Sequence, residues 1–170
     1  MLTPSALSVA AGADLSRIGD ARLLRALAWW HGLPRTGIAN LPDRAALDPL
    51  SIPDLLPHVV LWEVGTRPDG SFTYLVRLAG TAMVEVHGYE FTGLDMAQFH
   101  GAENVRIQPE YDFVASSGQP HYVERSLFWM NRDFQRYRRI LLPFTHRAAT
   151  GRDGVAQILN VSHFLSGDDA

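Results

Sequence analysis

The chain contains no cysteine and no lysine, and no apolar run long enough to cross a bilayer. Without cysteine there is no disulfide, no thiolate nucleophile and no Cys-ligated zinc, a usage that suits a reducing compartment and leads us to expect the cytoplasm. The longest apolar run, near Val59 to Val64, falls far short of the about 20 residues a spanning helix needs, so no membrane association is expected. Met1 to Ala13 ends in Ala-Ala-Gly-Ala but lacks the basic residue and continuous apolar core of a signal peptide. Charge is also sparse. A formal net charge of -3 and a pI near 6.1 give no global basic field for a nucleic-acid backbone. All the basic residues are arginine, as a GC-rich bacterial coding sequence produces, and their densest cluster, Arg132, Arg136, Arg138 and Arg139, reads as a solvated hairpin.

What is present fits one globular domain. The 170 residues are 46% hydrophobic and 10% aromatic, enough to bury a single core. Residues 1–13 read as a flexible tail, 14–57 as a helical extension with a connector, and 58–166 as the main domain. Asp20 to His31 has the helical period, with Leu23, Leu24, Leu27 and Trp30 on one stripe, Asp20 as its cap and Gly32 and Pro34 as its stop. Leu33 to Asp48 is rich in Pro, Gly, Asn and Asp and reads as a connector. A short helix is expected after Asp48, with Pro49 first, ending near Pro57.

His58 to Gly65 and Ser71 to Ala79 read as strands joined by a Pro68-Asp69-Gly70 turn. Ala82 to Val86 makes a short helix, and Gly88 and Gly93 bracket a loop. Gly101 to Ser117 reads as a longer helix divided or restarted at Pro109 and closed by Gly118. Three strands follow, at Tyr122 to Met130, Tyr137 to Ala148 and Val155 to Phe164. Helices gathered between the second and third strands exclude a doubly wound parallel sheet, which alternates strand and helix throughout. The expected class is α+β: a five-stranded antiparallel sheet with helices inserted between strands 2 and 3 and an N-terminal helical extension.

Several short motifs fall in order along this frame: Trp30, Gly32-Leu33-Pro34, Arg77-Leu78-Ala79-Gly80-Thr81, Thr92-Gly93, and Tyr137-Arg138-Arg139 before Leu142-Pro143. Together with the order of elements, they make the chain resemble the PAS domain over nearly its whole length. More narrowly, it resembles a stand-alone bacterial subfamily with an N-terminal Trp helix and an Arg-x-x-Gly-Thr strand end. The resemblance implies a sensory or adaptor module, without catalysis of its own, that binds a small ligand, a signalling partner such as a histidine kinase, or both. Because the sequence ends at Ala170, leaving no room for an output domain, any signal is expected to pass to another chain, and a homodimer is expected.

A pocket in such a fold lies between the sheet and the connecting helices, which points to Met83, His87, Tyr89, Phe99, Phe113, Phe128 and Phe144 as ligand-binding residues. Aromatic and Met side chains at these positions also suit an ordinary core. Arg77 is expected to be a structural residue paired with Glu63 or Glu85, or an anion contact. Leu23, Leu27 and Trp30 form the candidate interaction stripe, within the chain or across a dimer. The seven histidines show no i, i+4 pairing or zincin spacing, so no metal site is expected. His87, where a PAS pocket opens, is the one candidate for heme ligation, while a cysteinyl-flavin photosensor is excluded. Sequence alone names no cofactor. The competing reading is a small cone-like α+β enzyme using Asp95, Glu110 or Asp112 with His100 as an acid-base pair, although carboxylates there suit a solvated helix face.

Overall fold

The computed structural model describes residues 15–126 and 134–166. Helix α1, Ala21–Gly32, starts at Asp20, whose carboxylate accepts from the backbone N–H of Arg22 at 3.0 Å and of Leu23 at 3.2 Å. Leu23, Ala26 and Trp30 turn inward, whereas Leu24, expected on the same stripe, faces solvent. The connector holds a two-residue ribbon, Arg35–Thr36 with Leu41–Pro42, and 3-10 turns at Arg44–Ala46, Pro49–Ser51 and Leu56–His58. The helix expected after Asp48 is only the Pro49–Ser51 turn, because Pro53 and Pro57 remove the amides a longer helix would use.

The strands are β1, Val59–Thr66; β2, Phe72–Ala79; β3, His121–Ser126; β4, Phe134–Phe144; and β5, Gln157–Ser166. They form one sheet in the order β2-β1-β5-β4-β3, with every neighbouring pair antiparallel. The part of the third expected strand beyond Ser126 and the turn that follows it lie outside the described residues. Strand β4 ends at Phe144, short of Ala148, because Thr145 leaves the ladder to bond Pro42 and Arg44 in the connector. Between β2 and β3 lie α2, Thr81–His87; α3, Met96–His100; and α4, Asn104–Ser117. Helix α3 was not anticipated, although Asp95 and Gln98 close a capping box at its start. Helix α4 is not divided at Pro109. The amide that Pro109 lacks would bond the carbonyl of Val105, on the exposed side of the helix, so the missing bond does not fall in the core.

The sheet is covered on both faces. Val59, Leu61, Ile140, Leu142, Phe144, Leu159 and Val161 bury one face against α1 and the connector. Val60, Trp62, Tyr74, Val76, Leu141 and Ile158 bury the other against α2 to α4. Two of the short motifs meet across the first layer, where the Trp30 indole N–H donates to the Pro143 carbonyl at 2.9 Å and the Arg35 guanidinium lies 4.1 Å from the ring centroid. The Arg-x-x-Gly-Thr step ends β2 where no side chain fits: a Cβ on Gly80 would come within 2.3 Å of the Leu56 carbonyl oxygen and 2.4 Å of that of Pro57. The Thr92-Gly93 loop docks on the outer edge of β2, with Gly93 N–H donating to Val76 O at 2.9 Å and Val76 N–H to Leu94 O at 3.0 Å, which shields that edge from stray pairing.

Candidate functional site

Cross-strand pairing on the second face sets the floor of a cavity. Tyr137 faces Phe164, Arg139 faces Ser162 and Leu141 faces Asn160, so polar and aromatic side chains alternate into the layer under the helices. Helix α2 adds Met83 and His87, α3 adds Phe99 and His100, α4 adds Ile107 and Tyr111, and β1 adds Val60 and Trp62. The space between them is about 30 Å³. That is room for about two water-sized bodies. A second small cavity of about 50 Å³ adjoins it, sharing His87, Phe99 and His100 and reaching Glu103.

The walls are closely packed. Trp62 packs edge-on to Tyr111 with ring centroids 5.5 Å apart and stacks on His100 at 6.1 Å, while Phe99 lies 4.4 Å from Phe91. The His87 Nδ1–H donates to the Met83 carbonyl at 2.7 Å, which fixes that ring. Arg139 is held on three sides. Its guanidinium pairs with Glu110 of α4 and lies 5.3 Å from the Tyr111 centroid and 5.5 Å from that of Tyr137. Glu110, only 1% exposed, also pairs with the half-buried Arg125 of β3. Two guanidiniums thus share one buried carboxylate, that of Arg139 within the layer and that of Arg125 at its solvent side, where Glu103 also acts on it. Glu103, the carboxylate nearest the adjoining cavity, is paired with Arg106 at 3.6 Å.

Four buried polar atoms on this cavity have no hydrogen-bond partner among the described residues: Trp62 Nε1, His100 Nε2, the Tyr111 hydroxyl and Arg139 Nε. Native interiors rarely leave such groups unpaired, and ordered water or a small polar molecule in a void of this size would satisfy them. Burial, reinforced by Arg139 and His87, lowers the His100 imidazole to about 3, so it is neutral at physiological pH. Burial pushes the Tyr111 phenol up to about 12 against the pull of Arg139, so its proton stays on.

Of the residues expected to bind a ligand, Met83, His87 and Phe99 come together on the cavity. Tyr89 does not, being 46% exposed beyond the C-terminus of α2. Phe113 packs beside His121, with ring centroids 5.6 Å apart, and reaches the inner cluster only from the side. Phe144 is buried on the opposite face of the sheet, 6.1 Å from Trp29, because it shares the parity of Ile140 and Leu142. Phe128 lies outside the described residues. Arg77 points outward and pairs with Glu63 at 3.2 Å. Leu23 and Trp30 are buried inside their own chain with Leu27 packed against them, so the interaction stripe is spent on the sheet.

The arginine cluster expected to be a solvated hairpin divides by parity. Arg136 and Arg138 pair with Glu124, at 3.2 and 2.9 Å, while Arg139 turns into the core; Arg132 lies outside the described residues. Glu110, expected on a solvated helix face, is the buried partner of Arg139. The carboxylates proposed to work with His100 are engaged elsewhere: Asp95 caps α3 and Asp112 accepts from the Tyr74 hydroxyl at 2.7 Å. Among the described residues no group of three His, Asp or Glu could hold a metal ion, and a porphyrin does not fit a cavity of about 30 Å³ beside His87. Sequence reading missed Trp62, Tyr111, Arg139, Asn160 and Ser162. For Asn160 and Ser162 the legible signal was polar residues inside an otherwise apolar strand; Trp62 and Tyr111 looked like ordinary core aromatics.

A five-stranded antiparallel sheet in the order β2-β1-β5-β4-β3, with helices inserted between its second and third strands and a polar cavity beneath them, defines a pocket-bearing α+β domain. The PAS domain family model matches residues 20–155, and the chain belongs to the PAS domain family. It is therefore a sensory or signalling domain. No curated protein and no solved structure matches it. No helix among the described residues is long and apolar enough to cross a membrane.

Proposed function

We propose that this chain is a ligand-responsive PAS sensor that takes a small polar molecule into the cavity between β1, β4, β5 and the helices, and passes occupancy to a signalling partner without chemistry of its own. The observation that carries this reading is the convergence of Trp62 Nε1, His100 Nε2, the Tyr111 hydroxyl and Arg139 Nε on one cavity. The absence of catalysis belongs to the same reading. Its support is that Glu110, Asp112 and Asp95 are each held by another partner and that Glu103, which shares the adjoining cavity with His100, is paired with Arg106.

Helix α4 is the route outward. Its Glu110 is tied to β3 and β4 through Arg125 and Arg139, so a ligand that shifts Arg139 moves the β3–β4 side of the sheet against the helix. The partner is a cytoplasmic signalling protein such as a histidine kinase, and the unit is a homodimer. With Leu23 and Trp30 inside the fold, its dimer surface lies elsewhere than on the α1 stripe. Native mass spectrometry of freshly purified protein tests the reading, since it reports subunit number and retained small molecule together. A chain that carries nothing, and whose melting temperature responds to no small polar compound, overturns the ligand-sensing role.

A further inference from the structure

We propose that the ligand class is a short monocarboxylate, held by its carboxylate in the inner cavity with its few carbons toward Phe99 and His87. The inference rests on the ligand-sensing reading above and adds the chemistry of the ligand to it.

The polar atoms left unpaired at the cavity are complementary to an acceptor. Trp62 Nε1–H and Arg139 Nε–H can only donate, the Tyr111 hydroxyl has a proton to give, and neutral His100 donates from Nε2 in its Nε2–H tautomer. A carboxylate offers two oxygens and about four lone-pair sites, which matches that set. A neutral carbonyl offers half as many. The Trp62 indole and Asn160 amide act on the Tyr111 hydroxyl as hydrogen-bonding neighbours, so the donors gather round one point, where a carboxylate oxygen would take the place of the hydroxyl as their acceptor.

Charge favours the anion as well. Arg139 and Arg125 share the carboxylate of Glu110, and an anion at Arg139 Nε would complete the pairing of that buried guanidinium while Arg125 keeps its access to solvent. Among the other groups facing the space, Ser162, Asn160 and the rings of Phe99 and Phe164 carry no charge. A dianion would leave a surplus negative charge there. Size sets the upper limit. The inner cavity of about 30 Å³ suits one three-atom head group, and the adjoining one of about 50 Å³, walled by Phe99 and His87, takes a stub of one or two carbons. Glu103 at the far end disfavours a second acidic group.

The test uses the full chain and four probes at matched ionic strength: sodium formate, sodium acetate, acetamide and sodium chloride. Thermal shift and calorimetric titration should show saturable binding of acetate, at least tenfold weaker binding of acetamide, and no saturable response to chloride. Because Arg139→Gln breaks a buried ion pair and is liable to unfold the chain, the site is probed with Tyr111→Phe and Trp62→Phe, each expected to weaken acetate binding about tenfold or more. The Trp62 indole N–H resonance should move on titration. Acetamide binding as tightly as acetate, with both weakened by Tyr111→Phe, overturns the carboxylate while leaving ligand sensing in place. Acetate binding that neither variant weakens overturns the cavity as the carboxylate's site. If no carboxylate or amide shifts the indole resonance and native mass spectra show an empty chain, both readings fall.

Discussion

Replacing Glu110 by Gln tests the central electrostatic claim without reference to any ligand. The carboxylate is 1% exposed and faces Arg139, whose side chain is 4% exposed, so the variant strands a guanidinium that cannot lose its proton and cannot reach water. Removing one partner of a buried pair costs about 3–5 kcal/mol, much of it the penalty of the uncompensated charge. Arg125, at 30% exposure, can turn toward solvent and adds little to that figure. Against a typical stability of about 5–15 kcal/mol, Glu110→Gln should lower the melting temperature by about 10 °C, at roughly 2–4 °C per kcal/mol for a chain of this size. Urea unfolding followed by tryptophan fluorescence should show the midpoint fall with an unchanged slope. The double variant Glu110→Met/Arg139→Met, which removes both charges and keeps the volume, should recover most of the loss. A Glu110→Gln protein within about 1 kcal/mol of wild type, or a double variant as unstable as the sum of its singles, would refute the reasoning.

Three further outcomes are expected. Gly80→Ala forces its Cβ into the carbonyls of Leu56 and Pro57 and should cost about 1–3 kcal/mol in thermal melts. Trp30→Phe keeps the ring in the core but strips the bond to the Pro143 carbonyl, for a loss of about 1–2 kcal/mol that Trp29→Phe, whose indole donates to the exposed Ser51 hydroxyl, should not match. Burial, with Arg139 adding to it, lowers His121 to about 4 and His100 to about 3 from the ordinary 6.5. Both folded values are depressed, so the stability from the neutral rings is fully present above about pH 6.5 and is lost as pH falls toward 4 and 3, because only the unfolded chain takes up the protons there. The slope is on the order of 1 kcal/mol per pH unit for each ring. Denaturation midpoints between about pH 7.5 and about pH 5 should show it, and the variant His100→Gln/His121→Gln should flatten it.

The parts of this protein that could be read from sequence are those whose cause is local. Asp20 caps α1 because its own side chain reaches the amides two and three residues on. Gly118, at φ +65°, closes α4 because the chain there needs a left-handed residue. Strand period, turn residues and helix stops likewise depend on near neighbours, and with them the α+β class and the order of strands and helices were legible from residue types alone. The Arg-x-x-Gly-Thr step was visible too, but its reason was not: Gly80 answers to the backbone of residues 56 and 57, which only the folded chain brings beside it.

The site lay beyond that reach because a strand's side chains change face with each residue, and the face is assigned by what the other strands and helices cover. Phe144 and Arg139 stand five residues apart in one strand, and their opposite parity sends Phe144 to the α1 layer and Arg139 to the cavity. The same rule parts Arg138, paired with Glu124, from Arg139, paired with Glu110 on a helix. Composition determined enough apolar surface for a buried interior without disulfides, and local pattern determined the elements that build it; the sheet divides that interior into two layers. Only the tertiary structure decided which polar groups that core would enclose, because the cost of burying a charge depends on a partner that sequence distance does not reveal.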